Sequence, residues 1–299
     1  MNILLLGSTG QLGHELARHL PSLGRVFAFS RTELDITDHQ AVADVISNNA
    51  PDVIINAAAY TAVDKAESER ALAYAVNSDA VANLAQLARQ VNAWLIHFST
   101  DYVFDGTQAS PYSESDATNP VNVYGASKLA GEKAIAAENC NHLIFRATWV
   151  IGKDGKNFAK TILRLAVERK SLSVINDQQG VPTSPGLIAQ VSVDAIKAIK
   201  NRNPWPVGVY HLTPRGSSTW HDVAKTLIRF ADERGVALTA RANNIRAIST
   251  AEYPTPARRP LNSQLNTDKL TEHLSFRLPN WQEDFLGVAT QIVKESQEV

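Results

Sequence analysis

A tyrosine and a lysine stand four positions apart, at Tyr124 and Lys128, and this spacing places both side chains on one face of a helix. A neighbouring cation favours the phenolate, so the pair predicts a tyrosine pKa lowered from about 10 towards neutral pH. Such a phenol can donate a proton to a carbonyl oxygen, and the lysine can hydrogen-bond a ribose. Taken alone, the pair is equally compatible with a surface contact.

A hydroxyl group at the end of a predicted strand strengthens the catalytic interpretation. The run Ser99-Thr100-Asp101-Tyr102 follows an apolar stretch, and open α/β sheets bind ligands beyond the carboxyl ends of their strands. A hydroxyl at this edge can hydrogen-bond a substrate carbonyl and stabilise the developing alkoxide. We therefore predict that Thr100, Tyr124 and Lys128 are the catalytic residues of a carbonyl reductase.

The elements that must position these residues alternate in the first half of the chain. Helical patterns begin near Gln11, Asp38, Glu69 and Pro120, between short β-branched or leucine-rich runs. The predicted strands are residues 2–6, 25–29, 52–56, 94–99 and 142–146. This rhythm predicts an α/β fold with a doubly wound parallel sheet of the Rossmann type.

The second half is predicted to form a smaller, discontinuous C-terminal lobe that binds substrate. Residues 253–260 carry three prolines and can form neither a helix nor a central strand. Residues 187–200 and 209–212 still indicate a helix and a buried strand that return to the main sheet. We therefore expect a dinucleotide-binding domain at 1–147 plus about 185–212, and a substrate lobe at about 148–184 and 213–299.

A glycine-rich turn joins the first predicted strand to the first predicted helix. Gly7 permits the tight turn, Gly10 lets the backbone approach a pyrophosphate, and Gly13 lets helix and strand pack closely. The spacing G-x-x-G-x-x-G departs from the standard G-x-G-x-x-G. The position of the turn, between strand and helix, favours a dinucleotide site over an ordinary glycine turn.

The end of the second predicted strand indicates which dinucleotide is bound. An acidic residue there accepts from the ribose 2′-hydroxyl of NADH, whereas arginine accommodates the 2′-phosphate of NADPH. Ser30 and Arg31 occupy this position and favour NADPH, with acceptance of NADH left open. Asp35 is expected beside the adenine, and the alternative for Arg31 is a solvated loop charge.

Composition excludes several other classes of function. The 29 basic and 30 acidic residues give a net charge of −1, which provides no field for nucleic acid or an anionic membrane. No apolar stretch approaches the roughly 18 residues of a membrane span, and the N-terminus lacks the pattern of a signal peptide. Cys140 is the only cysteine, which fits a reducing compartment. We expect a cytoplasmic protein.

These motifs together resemble a known family over essentially the whole chain. The glycine turn, Asn56-Ala57-Ala58-Ala59, Ser99-Thr100-Asp101 and the Tyr124/Lys128 pair look like an extended short-chain dehydrogenase/reductase. More narrowly, residues 58–67, 174–183 and 253–260 resemble the dTDP-4-dehydrorhamnose reductase family. The resemblance implies NAD(P)H-dependent reduction of dTDP-4-dehydro-L-rhamnose at C4 to dTDP-L-rhamnose.

The resemblance also implies roles for individual residues. Thr100 would polarise the C4 carbonyl, Tyr124 would protonate its oxygen, and Lys128 would bind the nicotinamide ribose and tune Tyr124. The implied cofactor contacts are Gly7, Thr9, Gly10, Gln11, Leu12, Arg31, Asp35, Ile36, Ala57, Ala58 and Ala59, to which the strand-end and glycine patterns add Ser30 and Gly13. The implied substrate contacts are Thr61, Val63, Trp149, Arg258 and Arg259.

Two of these assignments have structural alternatives. Trp149 offers a ring face to a deoxysugar but is equally compatible with a core position. Arginine suits a diphosphate, and we expect at most one of Arg258 and Arg259 to contact it.

Some family members hold magnesium at a dimer interface through glutamates, and Glu15 matches one such position. Residues 182–187 lack the second acid, and a hard cation needs several oxygen ligands. We predict no bound metal and expect Glu15 in the first turn of its helix.

Three alternatives to this reductase are considered. A non-catalytic NADP-binding regulatory subunit has the same fold. Another dTDP-4-keto-6-deoxyhexose reductase would differ in the face that receives hydride. A dehydratase or epimerase that recycles tightly held NAD⁺ is disfavoured, because dehydratases of this superfamily usually place glutamate where Tyr102 stands. The sequence distinguishes neither the C4 stereochemistry nor a monomer from a homodimer.

Overall fold

A parallel sheet of six strands organises the computed structural model, which describes residues 1–297. The strand order is β2-β1-β3-β4-β5-β8, and every neighbouring pair is parallel. These strands are β1 Asn2–Leu6, β2 Arg25–Phe29, β3 Val53–Asn56, β4 Trp94–Thr100, β5 His142–Ala147 and β8 Gly208–His211. The order reverses direction beside β1, and a ligand crevice is expected where the ends of β1 and β3 meet.

Helices cover both faces of this sheet. They bury separate apolar clusters, one containing Leu5, Phe145 and Ile188, and the other Leu4, Ile54 and Leu84. The helices are α1 Gln11–His19, α2 His39–Asn49, α3 Val63–Ala66, α4 Arg70–Tyr74, α5 Ala80–Gln90, α6 Val123–Glu138, α7 Phe158–Glu168, α8 Pro185–Lys200, α9 Trp220–Glu233, α10 Asp268–Thr271 and α11 Trp281–Gln297. The doubly wound α/β class predicted from the sequence is confirmed.

The predicted boundaries are close to the observed ones. The strands at 2–6 and 25–29 begin and end as predicted, and the other strands of the first half differ by one residue. Asp38, Glu69 and Asn122 precede the helices as capping residues, so α2, α4 and α6 begin one to three residues after the predicted starts. Capping residues are easily counted as helix in a sequence, because they carry the start signal.

The rest of the chain forms a further apolar cluster around α7, α9 and α11, separate from the two that cover the main sheet. Short strands flank it, with β6 Leu172–Ile175 parallel to β10 Ile245–Ile248 and β7 Gln179–Gly180 antiparallel to β9 Ser218–Thr219. Leu270 and Leu278 return from this half to the core under the main sheet. Within residues 1–297, no helix has the length and apolarity that crossing a bilayer requires.

Candidate active site and cofactor pocket

The glycine turn after β1 has no side chains at its glycine positions, so a ligand can approach its backbone closely. Gly7 has a φ of +79°, and a Cβ on it would lie 2.6 Å from the Ala58 nitrogen. A Cβ on Gly13 would collide with the Gly7 carbonyl oxygen, as the predicted close packing of helix and strand requires. Gly10 caps α1 without a side-chain hydrogen bond. The backbone N–H groups in the first turn of α1 therefore have no side-chain acceptor, and they can bind the pyrophosphate of a dinucleotide.

A cavity of 330 Å³ opens beside this turn, at the crevice where the strand order reverses. Tyr60, Ala62, Leu34 and Val76 form part of its wall. Ten residues predicted from the sequence to contact cofactor or substrate also line it: Gly7, Thr9, Gly10, Arg31, Asp35, Ile36, Ala57, Ala58, Ala59 and Thr61. Thr61, expected at the sugar, therefore lies on the wall of this cavity beside the glycine turn.

Four predicted cofactor residues, Gln11, Leu12, Gly13 and Ser30, do not line this cavity. The Gln11 amide oxygen accepts from the Gly152 nitrogen at 2.9 Å, so this side chain ties α1 to the second half of the chain. Leu12 packs against the core under the sheet. The buried Ser30 hydroxyl donates to Glu33 Oε2 at 2.7 Å.

Replacing Gly7 by alanine is expected to weaken dinucleotide binding at least tenfold, the equivalent of about 1.4 kcal/mol. The added methyl group needs a φ that alanine rarely adopts and pushes against Ala58 on the opposite cavity wall. Fluorescence titration with NADPH measures the change. Gly235→Ala is the matched control, because Gly235 also has a positive φ, +78°, but no heavy atom near the added Cβ. Equal affinities for both variants would contradict the role assigned to Gly7.

Arg31 and Asp35 stand together at the outer end of this cavity. The Arg31 Nε lies 3.6 Å from Asp35 Oδ2, and 75% of the Arg31 side chain is exposed. Hydrogen bonds from Thr37 hold the pKa of Asp35 below its usual value, with a smaller effect from Arg31. Arg31 is thus an exposed cation with a long side chain at the edge of the cavity. Its ion pair with Asp35 is weak, so the guanidinium can exchange this partner for a phosphate.

Two predicted catalytic residues, Thr100 and Tyr124, meet where β4 ends and α6 begins. Thr100 is the last residue of β4 and is buried. The start of α6 is fixed twice, because Asn122 Oδ1 accepts from the Gly125 nitrogen at 2.8 Å and Glu67 Oε1 accepts from the Val123 nitrogen at 2.9 Å. This capping presents Tyr124 to the edge of the sheet.

The Tyr124 phenol keeps its proton in this arrangement. Burial raises the pKa of Tyr124 to about 12, the buried Asp101 adds to the rise, and a hydrogen bond with Thr100 opposes it. The prediction that Lys128 lowers the pKa of Tyr124 is wrong. A neutral phenol beside a hydroxyl is suited to giving a proton rather than to taking one.

Lys128 points into the sheet instead of towards the Tyr124 oxygen. Its Nζ donates to the Phe98 carbonyl oxygen at 2.6 Å and lies 3.2 Å from His97 Nε2. Burial lowers the pKa of Lys128 to about 8, and Glu132 opposes this shift. The i, i+4 spacing places both residues on one face of α6, as predicted. The lysine side chain, however, extends beyond the tyrosine to its partners in β4.

Asp101 is a residue of this site that the sequence analysis did not select. It is 2% exposed, its Oδ1 accepts from the Thr100 hydroxyl at 3.2 Å, and burial raises its pKa to about 7. A carboxyl group next to Thr100 and Tyr124 therefore titrates near neutral pH. Its only sequence signal was its position directly after the strand-end threonine.

Asp101→Asn is expected to raise the free energy of unfolding at pH 8. An acid whose folded pKa lies above its unfolded value stabilises the protein fully below about pH 4, and this contribution is lost as pH rises through 7. The difference between about 7 and the usual 3.8 corresponds to up to about 4 kcal/mol above pH 7. Urea unfolding of both proteins at pH 4 and pH 8 measures it. The exposed Asp44→Asn serves as control, and an equal gain at both pH values would contradict the assignment.

A second cavity has a volume of 630 Å³. Tyr102 lines it and meets the Tyr124 ring edge-on, with centroids 5.8 Å apart. Its apolar wall includes Phe158, Leu165 and Trp220, and Arg259 supplies a cation. The volume fits a drug-sized or nucleotide-sized ligand.

Trp149 supports this cavity from behind. Its ring stacks on Trp220 with centroids 3.8 Å apart, and its φ is +39°. A bulky residue in the left-handed region is strained, and such strain concentrates at ligand sites. Trp149 packs against a residue of the cavity wall but does not itself line the cavity, so its contact with the sugar stays a prediction.

The remaining predicted substrate contacts are distributed differently. Arg259 donates from Nη1 and Nη2 to the Asp64 carboxylate at 2.7 and 2.9 Å. This pair ties residues 253–260 to α3 beside the site. Arg258 is exposed and Val63 begins α3, and neither lines the second cavity.

Asn77 is the second residue that the sequence analysis missed. A π-helical turn at Ala75–Asp79 joins α4 to α5, and such turns are common at functional sites. Asn77 accepts from the Tyr60 nitrogen at 2.9 Å and donates to the Tyr60 oxygen and to Ser127 Oγ, both at 3.0 Å. It therefore clamps the cofactor-cavity wall to α6 between Tyr124 and Lys128.

Glu15 does not lie where the sequence indicated. The first turn of α1 carries no acid, and Glu15 forms an ion pair with Arg18 at 3.0 Å, so the first-turn expectation is wrong. Within residues 1–297, no cluster of three His, Cys, Asp or Glu side chains has the geometry of a metal site.

Comparison with known proteins identifies the family. Residues 1–294 match the model of the RmlD substrate binding domain. The dTDP-4-dehydrorhamnose reductase of Escherichia coli K12 is 48% identical over 286 residues, covering 94% of this chain and 95% of the relative. The reductase of Salmonella typhimurium LT2 is 47% identical, covering 98% of each chain.

Solved structures give the same result. The Bacillus anthracis dTDP-4-dehydrorhamnose reductase in complex with NADP superposes with a TM-score of 0.89 at 34% identity, covering 97% of this chain and 99% of that one. A Thermus thermophilus UDP-glucose 4-epimerase reaches a TM-score of 0.81 at 16% identity and shares the fold alone. The chain therefore belongs to the RmlD family of dTDP-4-dehydrorhamnose reductases, which are NAD(P)H-dependent oxidoreductases.

Proposed function

We propose that this chain reduces the C4 keto group of dTDP-4-dehydro-L-rhamnose with NADPH and releases dTDP-L-rhamnose. The observation that carries the proposal is the protonated Tyr124 phenol beside the Thr100 hydroxyl. Tyr124 shares an apolar cluster with Tyr60 of the cofactor cavity and touches Tyr102 of the second cavity. Tyr124 is thus connected through its packing to one wall residue of each cavity.

In the proposed mechanism, Thr100 and Tyr124 act on the carbonyl oxygen. The Thr100 hydroxyl donates a hydrogen bond that polarises the carbonyl and stabilises the developing alkoxide. Tyr124 gives that oxygen its proton. The reduced nicotinamide, when bound, supplies the hydride to C4. Lys128 donates to the nicotinamide ribose.

The cofactor fits the first cavity. The uncapped α1 start and the glycine turn would hold its pyrophosphate, and Ala57–Ala59 would form the wall opposite. Arg31 at the rim would pair with the 2′-phosphate. The domain division at 148, 185 and 213 stays a proposal, which the separate apolar cluster around α7, α9 and α11 supports.

The dTDP-sugar is assigned to the second cavity. Trp220, with Trp149 stacked on it, offers an apolar ring to the sugar, and Arg259 supplies the positive charge for the diphosphate. The Asp64 carboxylate holds two of the Arg259 nitrogens, so the substrate is expected to meet the guanidinium on its cavity side. We propose a cytoplasmic reaction, in keeping with a single buried cysteine.

The test mixes the purified protein with NADPH and dTDP-4-dehydro-L-rhamnose and follows nicotinamide absorbance, with NMR of the product. One NADPH consumed per dTDP-L-rhamnose formed supports the proposal. NADPH binding without consumption would indicate the regulatory subunit instead. A talose product would indicate the other 4-keto-6-deoxyhexose reductase.

Arg31→Ala is expected to raise the KM for NADPH about tenfold, the equivalent of ~1.4 kcal/mol, and to leave the KM for NADH nearly unchanged. The guanidinium is expected to contact only the phosphate that distinguishes the two cofactors. Arg164→Ala is the matched control, since Arg164 is also exposed and also pairs with an acid four residues later. An unchanged preference for NADPH would remove Arg31 from the cofactor site.

A further inference from the structure

The Thr100 hydroxyl shares its hydrogen bonds with a buried carboxyl group. Thr100 Oγ lies 3.2 Å from Asp101 Oδ1, and both residues are at most 5% exposed. The Tyr102 backbone nitrogen donates to the same Thr100 oxygen, also at 3.2 Å. Tyr124 is hydrogen-bonded to Thr100 from α6. Three groups therefore meet around one hydroxyl, which has a single hydrogen and two lone pairs.

The hydrogens around Thr100 have one arrangement when Asp101 is ionised. A carboxylate only accepts hydrogen bonds, so the Thr100 hydroxyl gives its hydrogen to Asp101. The two Thr100 lone pairs then accept from the Tyr102 nitrogen and from the Tyr124 hydroxyl. A substrate carbonyl would find neither of the two hydrogens that the proposed mechanism requires.

The arrangement reverses when Asp101 carries a proton. The carboxyl O–H can donate to one Thr100 lone pair, and the Tyr102 nitrogen donates to the other. The Thr100 and Tyr124 hydrogens are then both free, and a carbonyl oxygen has two lone pairs to accept them. The neutral acid thus leaves both hydrogens for the oxygen on which negative charge develops.

The surroundings of Asp101 favour the neutral acid. Its Oδ2 is buried without a hydrogen-bond partner, and an unpaired carboxylate oxygen in a dry site costs free energy. Arg259, which lines the second cavity together with Tyr102, is paired with Asp64 instead. Burial raises the pKa of Asp101 to about 7, and its hydrogen bonds oppose the rise. The carboxyl group therefore passes from mostly neutral to mostly ionised between pH 6 and pH 8.

The neighbouring groups contribute little titration in this pH range. Burial raises the pKa of Tyr124 to about 12 and holds the pKa of His97 well below its usual value. Burial lowers the pKa of Lys128 to about 8, so this side chain begins to lose its proton only at the upper end. The titratable groups on the elements around Asp101 are Tyr102, Tyr124, Lys128, His97, Asp64 and Arg259.

We propose that Asp101 works as a neutral acid that donates to Thr100 and so turns the Thr100 and Tyr124 hydrogens towards the substrate carbonyl. Asp101 is then a positioning residue that acts through Thr100. Its ionisation reverses the hydrogen bonds and withdraws both hydrogens from the carbonyl. The effect on reduction rests on the proposed function, whereas the protonation of Asp101 can be measured without it.

The first experiment measures that protonation in the protein without added ligand. With aspartate labelled at Cγ, ¹³C NMR should show one carboxyl group that titrates with a midpoint near pH 7. The signal is identified as Asp101 by its loss in Asp101→Asn. A midpoint below about pH 5, towards the range of ordinary aspartates, would overturn the proposal whether or not the protein reduces the sugar.

The second experiment measures the pH dependence of kcat/KM for the sugar. The wild-type value should fall at least about tenfold from pH 6 to pH 8, because the neutral form of Asp101 falls from about 90% to about 10%. Asp101→Asn does not titrate, so its kcat/KM should fall no more than about twofold, the share expected from Lys128. An equal fall in both proteins would overturn the proposal.

Further variants separate the role of the Thr100 hydroxyl from general damage. Thr100→Ser keeps the hydroxyl through which Asp101 acts and should keep the fall with pH, whereas Thr100→Val should lose it. Asp284→Asn is the matched control, because Asp284 also accepts from a hydroxyl, Ser184 Oγ at 2.6 Å, and burial also raises its pKa, but it lines neither cavity. It should keep the wild-type fall. A tenfold fall in Thr100→Val would overturn the proposal even if Asp101→Asn does not fold.

Discussion

Replacing Tyr124 by phenylalanine is expected to lower kcat for sugar reduction by about 10²–10⁴-fold. The substitution removes one hydroxyl group and keeps the ring that packs edge-on against Tyr102. Because the Thr100 hydroxyl still polarises the carbonyl, a residual rate should remain. The KM for the sugar should change little, since the proton is transferred only in the transition state.

Steady-state kinetics at saturating NADPH, with circular dichroism to confirm folding, measures this effect. Tyr210→Phe is the matched control, because Tyr210 is a buried tyrosine that lines neither cavity and whose hydroxyl donates to the Pro206 oxygen at 2.6 Å. Its kcat should stay within about twofold of wild type. A Tyr124→Phe enzyme with a wild-type kcat would exclude Tyr124 as the proton donor.

Replacing Glu132 by glutamine is expected to lower the free energy of unfolding by about 3–5 kcal/mol. Arg146 donates to both Glu132 oxygens from Nε and to Oε2 from Nη2 at 2.6 Å, and both side chains are about 5% exposed. The substitution leaves a buried guanidinium without its countercharge. Ser99, the neighbour of Thr100, also donates to this carboxylate, so the loss should reach the active-site strand.

Urea unfolding of Glu132→Gln, Arg146→Met and the double variant measures the coupling. The double variant should be less destabilised than the sum of the singles, because no unpaired charge remains. Glu168→Gln breaks the exposed pair with Arg164, where both side chains are about half exposed, and should cost less than about 1 kcal/mol. Equal effects of Glu132→Gln and Glu168→Gln would contradict the importance of burial.

Local patterns predicted the parts of the site that depend on local backbone. The glycine turn, the strand end at Thr100 and the face of α6 follow from residue types and spacing within a few positions, and the structure places them together. Predicting these features requires no information about residues that are distant in the sequence. Short β-branched or leucine-rich runs likewise predicted the strands of the main sheet.

Properties set by distant partners escaped the sequence analysis. The spacing of residues did not show that the Gln11 amide oxygen accepts from the Gly152 nitrogen, or that Arg259 donates to Asp64. The pKa of Tyr124 was predicted in the wrong direction because spacing cannot show that Lys128 turns to β4. The sequence did not indicate the raised pKa of Asp101, because that shift comes from burial by tertiary packing.

The cap of α6 links the active site to the order in which the chain is made. Asn122 Nδ2 donates to the Arg258 carbonyl oxygen at 2.8 Å, across 136 residues of sequence. A ribosome therefore releases the Tyr124 helix long before it releases the segment that anchors its start. We expect the nucleotide cavity to form early in synthesis and the reacting centre to be completed only when the last fifth of the chain has emerged.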